Sequence, residues 1–471
     1  MPKPSFIRSP PCPLAKPASL HAKHHPPPND GLESRPCSER PISPVMVAAR
    51  PRGRGGLMKF GLFYELQLPK PAGEEQWGPE DEKRIYHEML DQVELADSLG
   101  FDYVFEVEHH FLEEYSHSPA PEMMMAALSQ RTKNIRLGHG IVLTPPGYNH
   151  PARVAERLSA LDLLSQGRVE FGSGESASEM ELGGFGVERG LKKSMWEECT
   201  REITNMMVQT PYQGFQGEFF EMPPRNVIPK PMQKPHPPLW VAASRRETTM
   251  LAARFGMGSL GFGFETPDEL AERTNEYYRI VREECFPIGH AINPGLAVLT
   301  TFMMADSDEE ALRRSANGPA FFSHSLGYYY SPASGGRHQP GEKNIYDDFL
   351  KQNERDNTMS ARTGFIKEDE IRKGEPEDEV QRALYRAARS GTAVGTPDRV
   401  RETLKTYEDN HLDVMIFVAQ CGDREHDHIM ESIELFGKEL LPEFKERHEA
   451  EHGKWRAEQL AGIDYPVNSS I

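Results

Sequence analysis

Eight short apolar runs, most of them followed by a stretch with helical spacing, lie in order between Met58 and Val418. They are Met58–Tyr64, Phe101–Val107, Ile135–Leu143, Arg168–Gly172, Leu239–Ala243, Gly258–Phe262, Leu296–Met304 and Asp413–Val418. Strands joined by helical crossovers must lie parallel and be covered on both faces. Eight such units in sequence predict a (β/α)₈ barrel. An open doubly wound sheet is the rival, but it needs fewer units and usually a phosphate fingerprint after its first strand. No GxGxxG follows Tyr64.

The clearest unit runs from Asn149 to Val187. Pro151 suits a first helical turn, where its missing N–H costs nothing. Val154, Leu158, Leu161 and Leu164 recur at helical spacing, and Gly167 fits the left-handed stop. Arg168–Gly172 is the fourth strand, and the glycine-rich loop from Gly172 to Ser178 follows it. Chemistry in α/β proteins sits where a strand ends and such a loop opens.

Two departures enlarge the barrel. A loop with Gly183-Gly184-Phe185-Gly186 and a proline-rich approach separate strands four and five. Residues 306–392 form a long excursion between strands seven and eight, far beyond ordinary connections. That insert, with Phe321-Phe322-Ser323-His324, Tyr328–Tyr330 and a turn at Ser334-Gly335-Gly336, reads either as a pocket wall or lid or as a subunit contact. The barrel is expected over 58–448 and a C-terminal tail over 449–471.

Residues 1–57 carry a charge of +6, so the remainder holds −24 of the net −18. The segment is proline-rich, lacks apolar periodicity and has no h-region of a secretory signal. It reads as a disordered extension, with an organellar targeting arm as the other reading. The acidic balance argues against nucleic acid as a partner. No run approaches a membrane span. The cysteines, Cys12, Cys37, Cys199, Cys285 and Cys421, form no metal or CxxC spacing, and a reducing cytoplasm is expected.

Chemistry-bearing residues gather at the strand ends. His109 closes the second strand and shares a face with Tyr103, Phe105 and Val107, which suits acid–base work at a barrel rim. Glu108 points the other way. Adjacent Glu108-His109-His110 is poor metal geometry, so no metal site is expected. Gly138, His139 and Gly140 end the third strand, with His150 before its helix; either histidine also suits a cap or a core. The loop with Glu175 and Ser176 is neither a Walker loop nor a nucleophile elbow. Ser244 and Glu247 have capping-box spacing, and Ser244-Arg245-Arg246 at a helix start is also an anion site.

Strand one, Glu108-His109-His110-Phe111 and the 149–187 stretch together resemble the bacterial luciferase-like monooxygenases, over about residues 58–310 and again 392–445. Gly395-Thr396-Pro397 before the last unit is similar to the family's pattern as well. The resemblance implies a (β/α)₈ barrel that binds flavin at the C-terminal ends of the strands. It implies reduced FMN delivered by a separate reductase, reaction with O2 at C4a, and oxygenation of a small organic substrate by the peroxyflavin. The first histidine of the motif is the catalytic one, which places that role on His109. The resemblance puts Ser244 on the flavin phosphate and Glu108, Gly138, His139, Gly140, His150, Glu175 and Ser176 around the flavin. Where luciferase has an arginine this chain has Glu175, so Arg245 or Arg246 is expected to supply the charge. The family also contains enzymes that use coenzyme F420 for hydride transfer, and non-catalytic subunits. A homodimer or higher homo-oligomer is expected by the same analogy.

Overall fold

A computed structural model describes residues 58–262, 267–315, 317–330, 344–355 and 392–471. The extension 1–57, the Ser334-Gly335-Gly336 turn and residues 356–391 lie outside the described residues. Eight parallel strands close into a barrel: β1 (Lys59–Tyr64), β2 (Tyr103–Glu106), β3 (Arg136–His139), β4 (Val169–Gly174), β5 (Leu239–Ala242), β6 (Gly258–Phe262), β7 (Leu296–Met304) and β8 (Val414–Val418). Closure is made by β8 on β1, with Lys59 opposite Val414, and by β6 on β7, with Ser259 opposite Leu296.

Alternation along each strand sorts the core into two layers. Phe60, Leu62, Val104, Leu137, Phe171, Val241, Val298 and Phe417 face outward, under helices that include α1 (Asp81–Leu99), α2 (Pro121–Arg131) and α3 (Pro151–Leu164). Phe63, Tyr103, Phe105, Trp240, Leu260, Leu299, Val414 and Ile416 fill the interior. So the barrel is a packed core, and only its ends are available for chemistry.

Several boundaries differ from the expected ones. The third strand is split, because Val142–Leu143 leaves β3 and pairs instead with Ser173 and Gly174 at the far end of β4. β2 stops at Glu106, three residues short of His109, whose backbone N–H donates to Ser118 O at 2.9 Å instead of continuing the sheet. Beyond β4 come α4 (Glu179–Phe185) and α5 (Lys192–Val208). α6 (Arg246–Arg254) has Arg245 at its N-cap with no side-chain cap, so the Ser244–Glu247 capping box is absent. The helix starts one residue later than that box requires. α7 (Pro267–Glu283) follows β6. The last helix is two: α12 (His426–Glu439) and α13 (Leu441–Gln459), with Pro442 in the first turn of the second.

Both barrel ends are covered. Residues 449–471, set apart as a tail, are helical to Gln459 and then cross the floor. The Ile292 N–H donates there to Pro466 O and its carbonyl accepts from Asn468 N, and Ser470 Oγ lies 2.9 Å from Tyr103 OH. At the other end the insert contributes α8 (Asp308–Ser315), α9 (Gly318–Tyr330) and α10 (Ile345–Arg355), before α11 (Pro397–Asp409) returns to the barrel. Phe321, Phe322 and Tyr329 of α9 belong to the interior cluster, where Phe322 meets Tyr115 and Phe262 and Tyr329 meets Tyr115. Gln67 Nε2 donates to Ser325 Oγ at 3.0 Å, and Glu114 accepts the backbone N–H groups of Ile345 and Tyr346. The described part of the insert therefore packs on the C-terminal mouth.

Candidate active site

The mouth is built from loops that leave β1, β2 and β4, and each carries a residue other than glycine in the left-handed region. These are Leu66 (φ 53°), Phe111 (φ 65°) and Ser176 (φ 61°). Such conformations cost free energy and persist where packing over-determines them. Here they turn three side chains toward one point: Glu65 after β1, His109 after β2 and Glu181 on α4.

His109 is buried, with Nδ1 2.9 Å from Glu181 Oε1 and Nε2 3.5 Å from Glu65 Oε2. Glu181 Oε1 also accepts the backbone N–H of His110 at 3.0 Å, and Oε2 accepts Ser176 Oγ at 2.6 Å. Ser178 caps α4 by accepting from Met180 N, which fixes the helix that presents Glu181. Glu65 Oε1 accepts Tyr115 OH at 2.9 Å, while its Oε2 has no hydrogen-bond partner. Tyr330, the last residue of α9, sets its hydroxyl 3.3 Å from His109 Nδ1 and 3.4 Å from Nε2.

Burial alone would depress the imidazole, but the Glu181 and Glu65 carboxylates outweigh it and raise His109 to about 9. Burial pushes Glu65 up, and the pull of His109 leaves it at about 7. Burial would also raise Glu181, yet His109 and the Ser176 and His110 donors hold it below the usual carboxylate range. At neutral pH the centre is thus an imidazolium against one firm carboxylate and one that titrates.

The other sequence candidates separate into three groups. Glu108 turns away from His109, accepting from Leu143 N at 2.8 Å and Asn149 Nδ2 at 2.9 Å, with His110 Nε2 at 3.1 Å. It ties the loops after β2 and β3 together, and both its oxygens are engaged by protein groups. Gly138 and Gly140 do not leave open space for a ligand. A Cβ on Gly138 would fall 2.3 Å from the Phe105 ring, and one on Gly140 would meet Val107 at 3.0 Å. His139 is a core histidine, lowered by burial. His150 is a helix cap: its Nδ1 accepts from Ala152 N at 3.2 Å.

A third group faces solvent at the same end of the barrel. Ala242 is exposed although the rest of β5 is buried, and Ser244, Arg245 and Arg246 beyond it are exposed too. Arg246 pairs with Glu276, whereas Arg245 makes no ion pair among the described residues. Glu175 is neutralised by Lys192, whose Nζ lies 2.6 Å from Oε1 and also donates to Ser176 O. An exposed serine, a free guanidinium and the first amides of α6 form a donor set for a phosphate. This set, beside the exposed Ala242, fits the phosphate of a phosphorylated cofactor.

Glu65, Glu181, Tyr115 and Lys192 were not singled out in the sequence. The rule that marks His109, a polar residue just past a barrel strand, applies equally to Glu65. Nothing local marks Glu181 or Lys192.

The family model described as luciferase-like monooxygenase matches residues 58–413, and the chain belongs to that family. The oxygenase component of flavin-dependent trigonelline monooxygenase from Acinetobacter baylyi is 25% identical over 391 residues, 83% of this chain and 96% of the relative. An F420-dependent glucose-6-phosphate dehydrogenase from Microbacterium testaceum is 28% identical over 45% of this chain and 61% of its own length. The FMN complex of the oxygenating constituent of 3,6-diketocamphane monooxygenase from Pseudomonas putida shares the fold, with a TM-score of 0.59, 20% identity and coverage of 82% of this chain and 98% of its own. Among the described residues no helix is long and apolar enough to cross a membrane.

Proposed function

We propose that this chain is the oxygenase of a two-component monooxygenase that takes reduced FMN from a separate reductase and uses O2 to oxygenate a small organic substrate. The observation that carries the reading is His109, held between Glu65 and Glu181 at a covered barrel mouth, with a phosphate-type donor set at the start of α6. Reduced FMN, when bound, supplies the electrons that activate oxygen. Ser244, Arg245 and the α6 amides hold its phosphate. His109 manages a proton at the mouth, and α9 with Tyr330 keeps bulk water out, which such chemistry requires. Glu175 and Ser176 sit on the loop after β4, where the family resemblance places flavin contacts, and Lys192 reaches them from the start of α5.

The test is rapid mixing of the full chain, loaded anaerobically with reduced FMN, against oxygenated buffer while flavin absorbance is followed. Reoxidation kinetically distinct from free flavin, and changed in His109→Ala at unaltered FMN affinity, is expected. Reoxidation identical to free flavin overturns the reading. Tight F420 binding would then favour the hydride-transfer alternative that the F420-dependent relative represents.

A further inference from the structure

The mouth holds two buried carboxylates that no Lys or Arg among the described residues pairs with. Unpaired buried carboxylates are costly, and the imidazole between them is the counter-charge placed against both. From this arrangement we infer that Glu65 and Glu181 are positioning residues for His109, one on each ring nitrogen, and that His109 therefore acts as a proton donor and not as a base. The inference rests on the proposed site but not on which flavin or deazaflavin it takes.

The groups that face the ring come from every element around it. Glu181 on α4 fixes Nδ1 at 2.9 Å, and its other contacts, Ser176 Oγ and His110 N, are donors that keep it ionised. Glu65 after β1 faces Nε2 at 3.5 Å through its unpartnered Oε2. Glu108 adds a weaker negative field from the far side. Tyr115 and Tyr330 approach as neutral phenols whose ionisation burial and the nearby carboxylates oppose, so neither supplies a competing charge. A proton given from the ring to an oxyanion developing on the substrate leaves neutral imidazole.

The experiment is a carbon-detected NMR titration of the full chain labelled at its histidines, without flavin, with the His109 signal identified by its loss in His109→Gln. The wild-type midpoint is expected near 9. Glu181→Gln should lower it by about 1–3 pH units and Glu65→Gln by less, as removal of one nearby opposite charge does. A purely structural role would leave the midpoint in place. A wild-type midpoint at or below the ordinary histidine value overturns the inference even if both variants fail to fold, and so does an unchanged midpoint in folded variants. No flavin or oxygen enters the measurement, so its failure and that of the monooxygenase reading are told apart.

Discussion

Tyr330 places its hydroxyl within 3.4 Å of both ring nitrogens of His109, although 221 positions separate the two residues. The insert is thereby joined to the centre of the mouth. Tyr330→Phe keeps the ring packing against Tyr115 and removes only the hydroxyl. The expected effect is a two- to tenfold change in the oxygen-dependent reoxidation rate, about the worth of one net hydrogen bond, with little change in thermal midpoint. An unchanged rate would make Tyr330 part of the cover and nothing more.

A second prediction concerns pH and stability at Glu106, which lies on the outer face of β2. Burial pushes its carboxyl up to about 8, against the Ser118 hydroxyl that donates to Oε1 at 2.8 Å. The folded chain thus retains a proton that the unfolded chain has released. The stability this group allows is complete below its unfolded value of 4.5 and is lost as pH rises through 8. Glu106→Gln should be more stable than wild type by about 3 kcal/mol at pH 7, with the gain vanishing toward pH 4.5. Urea unfolding at several pH values measures it, and a gain independent of pH would sink the argument.

Gly138 separates packing from cofactor contact. Phe105 fills the place where its Cβ would stand, and Phe105 is itself held between Tyr103 at 5.7 Å and Trp240 at 5.8 Å. Gly138→Ala should cost about 1–3 kcal/mol of stability through overpacking, equally with and without flavin. A variant of normal thermal midpoint but weakened flavin binding would restore the ligand-contact reading.

Much of the barrel was legible because each buried strand is a run of apolar residues with a helix signal beside it. The ends were not. β2 stops at Glu106 because Ser118 takes the N–H of His109, a contact made by a loop folding back. The capping box failed by one residue of register at Arg245, a difference that tertiary packing sets. His109 stood out by its place after a strand. Its partners Glu65, Glu181 and Tyr330 lie far apart in the chain, and only closure of the barrel and docking of α9 bring them together. The resemblance puts Gly138 and Gly140 beside the flavin, but a sequence does not say that Phe105 and Val107 stand where their Cβ atoms would be.

The charge at the phosphate end gives the last prediction. Glu175 would repel a phosphate if bare, but Lys192 cancels it locally. Arg246 is occupied by Glu276, which leaves Arg245 as the exposed guanidinium beside Ser244. Arg245→Ala should therefore weaken FMN by about ten- to a hundredfold, the worth of a charge-assisted contact, while riboflavin, which lacks the phosphate, binds as before. Arg246→Ala should have a smaller effect, because that side chain must first leave its carboxylate. Raised salt should shrink the Arg245 effect, since an exposed charge pair is screened. Fluorescence titration of both ligands against both variants decides it. Equal losses for FMN and riboflavin in Arg245→Ala would show that the start of α6 holds the ring system or the fold and not the phosphate.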